Sequence, residues 1–109
     1  MSKNVHDDYQ RRPLSDPNNI AEMVNYLRRV KGLSYTDFRK FLHLSLKDLK
    51  LLRSEDTKNE LFSFNSLYRF YYFADLYLRT EYNSEYSIKL AGHLKEICHK
   101  ELIMILEQI

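Results

Sequence analysis

The sequence predicts an all-α domain of five helices, with two short helices back to back near its middle and a long helix at its C-terminal end. The 109 residues include only two glycines and two prolines, while 44% of them are hydrophobic. This composition suits helices with short connections better than a strand-rich fold, which needs many turns. A chain of this length is expected to form one core. We divide it into a flexible leader (residues 1–15), a helical body (16–79) and a terminal helix (80–109).

The leader is polar and shows no helical periodicity, so we expect it to be flexible. The alternative is a basic arm in which Arg11 and Arg12 reach into a DNA minor groove. We expect the first helix to be capped by Asp16, with Pro17 in its first turn, and to run to about Lys31. Its apolar stripe is Ile20, Met23, Val24, Leu27 and Val30. Gly32 then supplies a left-handed stop.

Two capping signals follow, eleven positions apart. Ser34 and Ser45 are each followed three residues later by an acid, Asp37 and Asp48, as in a capping box. The turn between the two short helices has room for only three or four residues around His43. Such a connection is typical of a helix-turn-helix motif.

Residue spacing assigns the faces of these two helices. In the first, the apolar residues recur at steps of one, three and four and predict one buried face: Tyr35, Phe38, Phe41 and Leu42. In the second, a step of about 100° per residue turns Leu49 and Leu52 toward the core. The same step turns four other residues outward: Lys47, Lys50, Leu51 and Ser54.

Positive charge is concentrated around this motif. The net charge is +2 overall, but residues 28–53 contain eight Lys or Arg against two Asp. Such a local excess is typical of a phosphate-binding surface. The alternative is that the helices simply carry charge on their solvent-facing sides.

The stretch LRRVKGLSYTDFRKFLHLSLKDL (residues 27–49) resembles the Cro and phage-repressor (Xre-type) helix-turn-helix family. FSFNSLYRFYYFA (62–74) resembles that family's fourth helix, with Ser63 as the cap and Phe64, Leu67 and Phe70 as core residues. The resemblance, which extends to about Leu76, implies a lambda-repressor-like helix-turn-helix core. It also implies a phage-like, sequence-specific regulator of transcription, such as a repressor, that binds double-stranded DNA as a homodimer.

The expected DNA contacts follow from placing the second short helix in the major groove. Base edges would be approached by Ser45, Leu46, Lys47, Lys50 and Leu51. Phosphates would be held by Arg28, Arg39, Lys40 and Lys58. Asn59, in the polar loop after the motif, is a further candidate for a phosphate contact.

Four positions differ from the family pattern. His43 replaces a turn glycine, so we expect a positive φ there. Arg53 stands where a glutamate often faces the arginine matched by Arg28, so the two cations would either diverge or share an anion. Leu46 and Leu51 replace polar base-reading residues. They would contact thymine methyl groups or, alternatively, form an apolar patch that binds another protein. The second interpretation predicts an adaptor or antirepressor.

The C-terminal third is expected to provide the dimer contact. Aromatic residues are too dense between Phe62 and Tyr77 to fit on one helix face. The last helix is expected to begin at about Glu85, after a cap at Asn83 or Ser84. It has an apolar stripe wider than one contact needs. Two-fold dimers match palindromic operators. We expect the interface to include Tyr72, Tyr77, Leu94, Cys98, Leu102, Ile105 and Ile109.

The sequence contains no phosphate-binding glycine loop, nucleophile elbow or His-Glu-x-x-His motif, so we expect neither an enzyme nor a cofactor. His93 and His99 fall about 120° apart on a helix and have no partner pair, which argues against a zinc site. The single Cys98 excludes an internal disulfide. Without a secretion leader or a span of about 20 apolar residues, we expect a cytoplasmic protein that does not enter membranes.

Overall fold

A computed structural model describes residues 14, 16–55, 57–80 and 85–109, and these residues form helices and connections without a strand. The five α-helices are α1 (Ile20–Val30), α2 (Tyr35–Leu42), α3 (Leu46–Ser54), α4 (Phe64–Thr80) and α5 (Glu85–Glu107), with a short 3-10 helix at Asn59–Leu61. The prediction of an all-α, five-helix domain is confirmed. The expected leader, apart from residue 14, and the expected cap at Asn83 or Ser84 lie outside the described residues.

The start of α1 differs from the prediction. Asn19, not Asp16, is the cap, and its side-chain oxygen accepts a hydrogen bond from the backbone N–H of Glu22 at 3.0 Å. The Asp16 carboxylate instead accepts from the N–H of Asn18 at 2.9 Å, and its carbonyl accepts from the N–H of Asn19 at 3.1 Å. Aspartate followed by proline is favoured at the start of a β-turn. The turn therefore precedes the helix, and the capping role passes to Asn19.

The helix-turn-helix caps are confirmed. The hydroxyl oxygens of Ser34 and Ser45 accept from the N–H groups of Asp37 and Asp48, each at 3.1 Å. His43 ends α2 with φ +55°, so the positive φ expected there is present. Gly32, in the connection between α1 and α2, has φ +71°, a value that glycine adopts without steric cost. The local sequence therefore sets where α2 begins and ends and where α3 begins.

The core lies between the α4–α5 hairpin and the motif helices. Its largest fully buried side chains include Phe38, Phe70, Ile20, Met23, Leu27, Leu42, Leu52, Leu67 and Leu94. The rings of Phe38 and Phe73 meet edge to face with their centroids 4.9 Å apart, which joins α2 to α4. The predicted burial of Phe41 and Phe64 is wrong, because these side chains are 47% and 39% exposed. Phe41 lies at the edge of the buried arc of α2, and Phe64 is the first residue of α4.

Most residues assigned to the dimer interface lie inside the domain. The residues of that set that are buried in its own core are Tyr77, Leu94, Cys98 and Leu102. Helix α5 packs on both α4 and α1, so its wide apolar stripe serves two neighbours of the same chain. Of the other residues in the set, Tyr72 and Ile109 are exposed and Ile105 is partly buried. The assignment of the four buried residues to an interface between copies was therefore wrong.

Candidate nucleic-acid interface

Helix α3 is fixed to the domain by polar as well as apolar contacts. The side-chain amide of Asn25 donates to the carbonyl of Leu52 at 2.8 Å, and both residues are fully buried. At the other end of α3, the buried carboxylate of Asp48 accepts hydrogen bonds from the hydroxyls of Ser63 and Ser66, just before and within α4. Because buried polar groups are costly to leave unpaired, these contacts set the rotation of α3.

That rotation differs by a few tens of degrees from the predicted one. The buried line of α3 is Asp48 and Leu52, whereas Leu49 is only partly buried. Leu51, predicted to face outward as a base contact, is partly buried and packs against the core. The sequence pattern treated Asp48 only as a capping acid. Its bonds to two serines of a distant segment, which no local pattern encodes, turn it inward.

The outer face of α3 is basic with an apolar centre. A surface recess of about 640 Å³ runs along it and is lined by Leu46, Lys47, Leu49, Lys50 and Arg53. Leu46 is 68% exposed, and Lys47, Lys50 and Arg53 are also exposed. The predicted base contacts Lys47, Lys50 and Leu46 are thus brought together. Ser45 lies at the start of the same face, with its hydroxyl oxygen already accepting the cap bond.

Arg28, predicted to hold a phosphate, is a structural residue. It is 8% exposed, and its guanidinium donates to the side-chain oxygen of Asn25 at 3.2 Å and to the carbonyl of Leu33 at 2.5 Å. The bond to Asn25 lies within α1, and the bond to Leu33 connects α1 to the segment before α2. A guanidinium committed in this way is not presented to a ligand, so the phosphate assignment of Arg28 is corrected.

The two cations at positions 28 and 53 meet at an aromatic ring instead of an anion. The guanidinium carbon of Arg28 lies 3.9 Å from the ring centroid of Tyr35, and that of Arg53 lies 5.2 Å from it. Both distances are within the range of cation–π attraction. Sequence spacing identified Tyr35 only as part of an apolar face and missed this role. The ring holds exposed Arg53 beside the recess of α3.

Of the other predicted phosphate contacts, two are exposed to solvent and one is hydrogen-bonded within the domain. Lys40 and Lys58 are exposed. Arg39 is partly buried, and its Nε donates to the carbonyl of Leu44 at 3.1 Å, which reinforces the turn between α2 and α3.

Asn59 is not a phosphate contact. Its side chain accepts from the N–H of Ile20 at 2.9 Å and donates to the carbonyl of Asn18 at 2.8 Å. It therefore ties the loop after α3 to the start of α1.

The residues considered for metal binding are separate from this face. His93 Nε2 lies 3.0 Å from the side-chain oxygen of Asn18, and the ring of His99 lies 6.3 Å from that of Tyr71. Across residues 14, 16–55, 57–80 and 85–109, no three His, Cys, Asp or Glu side chains form a candidate metal cluster. Within the same residues, no helix is long and apolar enough to cross a membrane.

No protein-family model, curated protein or solved structure matches the chain. The resemblance to the phage-repressor family therefore stays a prediction from the sequence, based on the KGLS stretch, the paired caps and the spacing of the motif helices.

Proposed function

We propose that this chain is a cytoplasmic transcriptional regulator that binds double-stranded DNA in a sequence-specific way, as a homodimer, with α3 in the major groove. The observation that carries the proposal is the exposed cationic face of α3, where Lys47, Lys50 and Arg53 surround an open recess. A major groove about 12 Å wide admits one helix, and α3 is held from behind by Asp48 and Leu52. A helix held in this way offers its outer face without reorganisation.

Each residue of this face has a distinct role in the proposal. Lys47 and Lys50 donate to base edges, for which guanine O6 and N7 are the preferred acceptors. Leu46 contacts a thymine methyl group, and the Ser45 hydroxyl donates at the groove edge while its oxygen caps α3. Lys40 binds phosphate, which fixes the register of the protein on the duplex without reading sequence.

The phosphate contacts extend beyond α2. Lys58 follows α3 in the chain and is exposed, so its ammonium group is available to bind the DNA backbone. Arg53, held beside Tyr35, replaces Arg28 in the phosphate-contacting set.

The test uses a duplex selected from a random-sequence library and measures affinity in gel-shift titrations at several salt concentrations. Lys47→Ala is expected to weaken binding by ~1–3 kcal/mol and to relax one base position. Lys40→Ala is expected to weaken all duplexes alike and to reduce the salt slope by about one. Lys89→Ala, an exposed lysine on α5, is the matched control. If both motif variants bind like Lys89→Ala, the proposal is wrong.

The second candidate is a protein-interaction adaptor or antirepressor on the same scaffold. It is favoured by the 68% exposure of Leu46 and by Leu49, which lies in the same recess. Counterion release makes DNA binding fall steeply with salt, whereas an apolar protein contact barely responds. A salt-insensitive complex that survives nuclease and is lost in Leu46→Asp would support the adaptor and contradict the regulator.

A further inference from the structure

The outer face of α5 near its C-terminal end is not used by the domain. Leu94, Cys98 and Leu102 form the buried line of this helix. At about 100° per residue, the opposite side carries Lys100, Ile103, Met104 and Glu107, and all four are exposed. Ile103 and Met104 are 40% and 47% exposed. Two apolar side chains thus lie between a cation and an anion.

This face is complementary to itself. Lys100 and Glu107 lie at equal distances on either side of the midpoint between Ile103 and Met104. In an antiparallel pair of α5 helices centred on that midpoint, Lys100 of each copy faces Glu107 of the other, and Ile103 faces Met104. A two-fold axis through one point therefore satisfies both charges and covers both apolar residues. Neither Lys100 nor Glu107 forms an ion pair with any residue in the described ranges.

We propose that two copies of this chain associate through antiparallel packing of their α5 helices, centred between Ile103 and Met104 and flanked by two reciprocal Lys100–Glu107 pairs. This inference rests on the proposed homodimer and specifies its partner surface and register. It also replaces the interface predicted from sequence, four of whose residues lie in the core. Opposite charges at the rim fix register, while the apolar centre supplies the attraction.

The position of this face agrees with a dimer that leaves α3 open. Helices α4 and α5 run antiparallel, as the contacts of Tyr71 with His99 and of Asp75 with Lys95 indicate. The outer face of α5 points away from the core, and the recess of α3 is lined by α3 residues alone. Pairing through this face of α5 therefore uses none of the residues that line the recess. The overlap spans about ten residues, or about 15 Å, so we expect a dimer that dissociates on dilution.

Sedimentation equilibrium of the full chain without DNA tests the register by charge exchange. Lys100→Glu or Glu107→Lys alone sets like charges opposite each other twice, so each is expected to weaken dimerisation by about tenfold. The double variant Lys100→Glu/Glu107→Lys restores opposite charges and is expected to return within about threefold of the original. Lys89→Glu lies on the same helix outside the overlap and serves as the control. Circular dichroism checks that the helices are retained.

The inference is overturned if the chain is monomeric at the highest concentration, if the single variants match Lys89→Glu, or if the double variant stays as weak as the single ones. DNA affinity measured separately on the same proteins distinguishes the two proposals. Loss of DNA binding in the α3 variants tests the role of the recess in the proposed function. Recovery of the dimer in the charge-exchanged double variant tests the α5 interface. A dimer that follows the charge exchange but does not bind DNA supports this inference and contradicts the proposed function.

Discussion

The side chain of Asn25 and the backbone of Leu52 share a fully buried hydrogen bond of 2.8 Å. This bond joins the middle of α1 to the C-terminal half of α3. The ion pair between Arg29 and Glu55, with a closest N–O distance of 3.2 Å, adds a second connection between the same two segments. Helix α3 is therefore positioned by α1 as well as by its own apolar residues, and the orientation of its exposed face depends on a residue far from the surface.

Asn25→Ala is expected to lower the free energy of unfolding by ~1–3 kcal/mol, because it leaves the carbonyl of Leu52 buried without a donor. Urea unfolding followed by circular dichroism measures the change. The matched control is Asn65→Ala, at an exposed position of α4, for which we expect a change within about 0.5 kcal/mol. Equal effects of the two substitutions would show that the buried bond does not hold α3.

Substitutions of Arg28 and Arg53 are expected to change different properties, stability in the first case and DNA affinity in the second. Arg28→Ala removes donors to Asn25 and Leu33 and should cost ~1–3 kcal/mol of unfolding free energy. Arg53→Ala removes an exposed cation and should leave stability within about 0.5 kcal/mol while weakening DNA binding. The two measurements are urea unfolding and gel-shift titration. A reversed pattern, with stable Arg28→Ala and unstable Arg53→Ala, would contradict the assignment of these residues.

The environment of Glu101 sets the sign of its contribution to the pH dependence of stability. Burial and the nearby charge of Glu60 raise the pKa of this carboxyl above its ordinary value of 4.5. Because the folded state favours the protonated form, its contribution to stability is present below that value and is lost as pH rises through the folded pKa. Glu101→Gln is therefore expected to be more stable than the original at pH 7, with the difference shrinking as the pH falls through the folded pKa and vanishing below the ordinary value of 4.5.

Thermal unfolding of Glu101→Gln across this pH range checks the sign. Glu96→Gln, at an exposed position on the same helix, is the control for loss of a carboxylate. A Glu101→Gln variant that is less stable than the original at pH 7 would contradict the account.

Cys98 is expected to be inert in the folded protein. It is fully buried, and burial raises the pKa of its thiol far above the ordinary range, so the reactive thiolate is scarce. A thiol reagent should label it only in denaturant, at a rate that follows unfolding. Rapid labelling of the native chain would show that α5 does not pack as described.

The sequence predicted the caps of α2 and α3 and the turn between them correctly, because these features depend on residues that are close together in the chain. Ser34 and Ser45 were identified as caps because capping depends on residues three positions apart, and the same spacing placed His43 in the turn. The positive φ at His43 was expected from the family resemblance. The rotation of α3 was missed because it depends on Ser63 and Ser66, which lie far along the chain. Arg28 was misassigned because its burial depends on the packing of the assembled domain, although its partners Asn25 and Leu33 lie close to it in the chain.

Burial on α5 was misread for a related reason. Its stripe was recognised, but periodicity cannot say whether an apolar face meets a neighbour of the same chain or a second copy. Leu94 and Leu102 are buried in the core of the same chain, on a helix that packs on α4 and α1, and only the assembled domain reveals this. The face left over, around Ile103 and Met104, is the one from which a second copy can be inferred.

A titration of the ¹⁵N-labelled chain with the selected duplex, followed by amide chemical shifts, tests whether α3 binds DNA. The largest changes are expected at Leu46, Lys47, Lys50 and Arg53 on the outer face of α3, with smaller changes at Lys40 and Lys58. Amides of α5 around Ile103 should remain as they are in the free dimer. Changes confined to α5 or to other surfaces, with the α3 amides unmoved, would contradict DNA binding by α3.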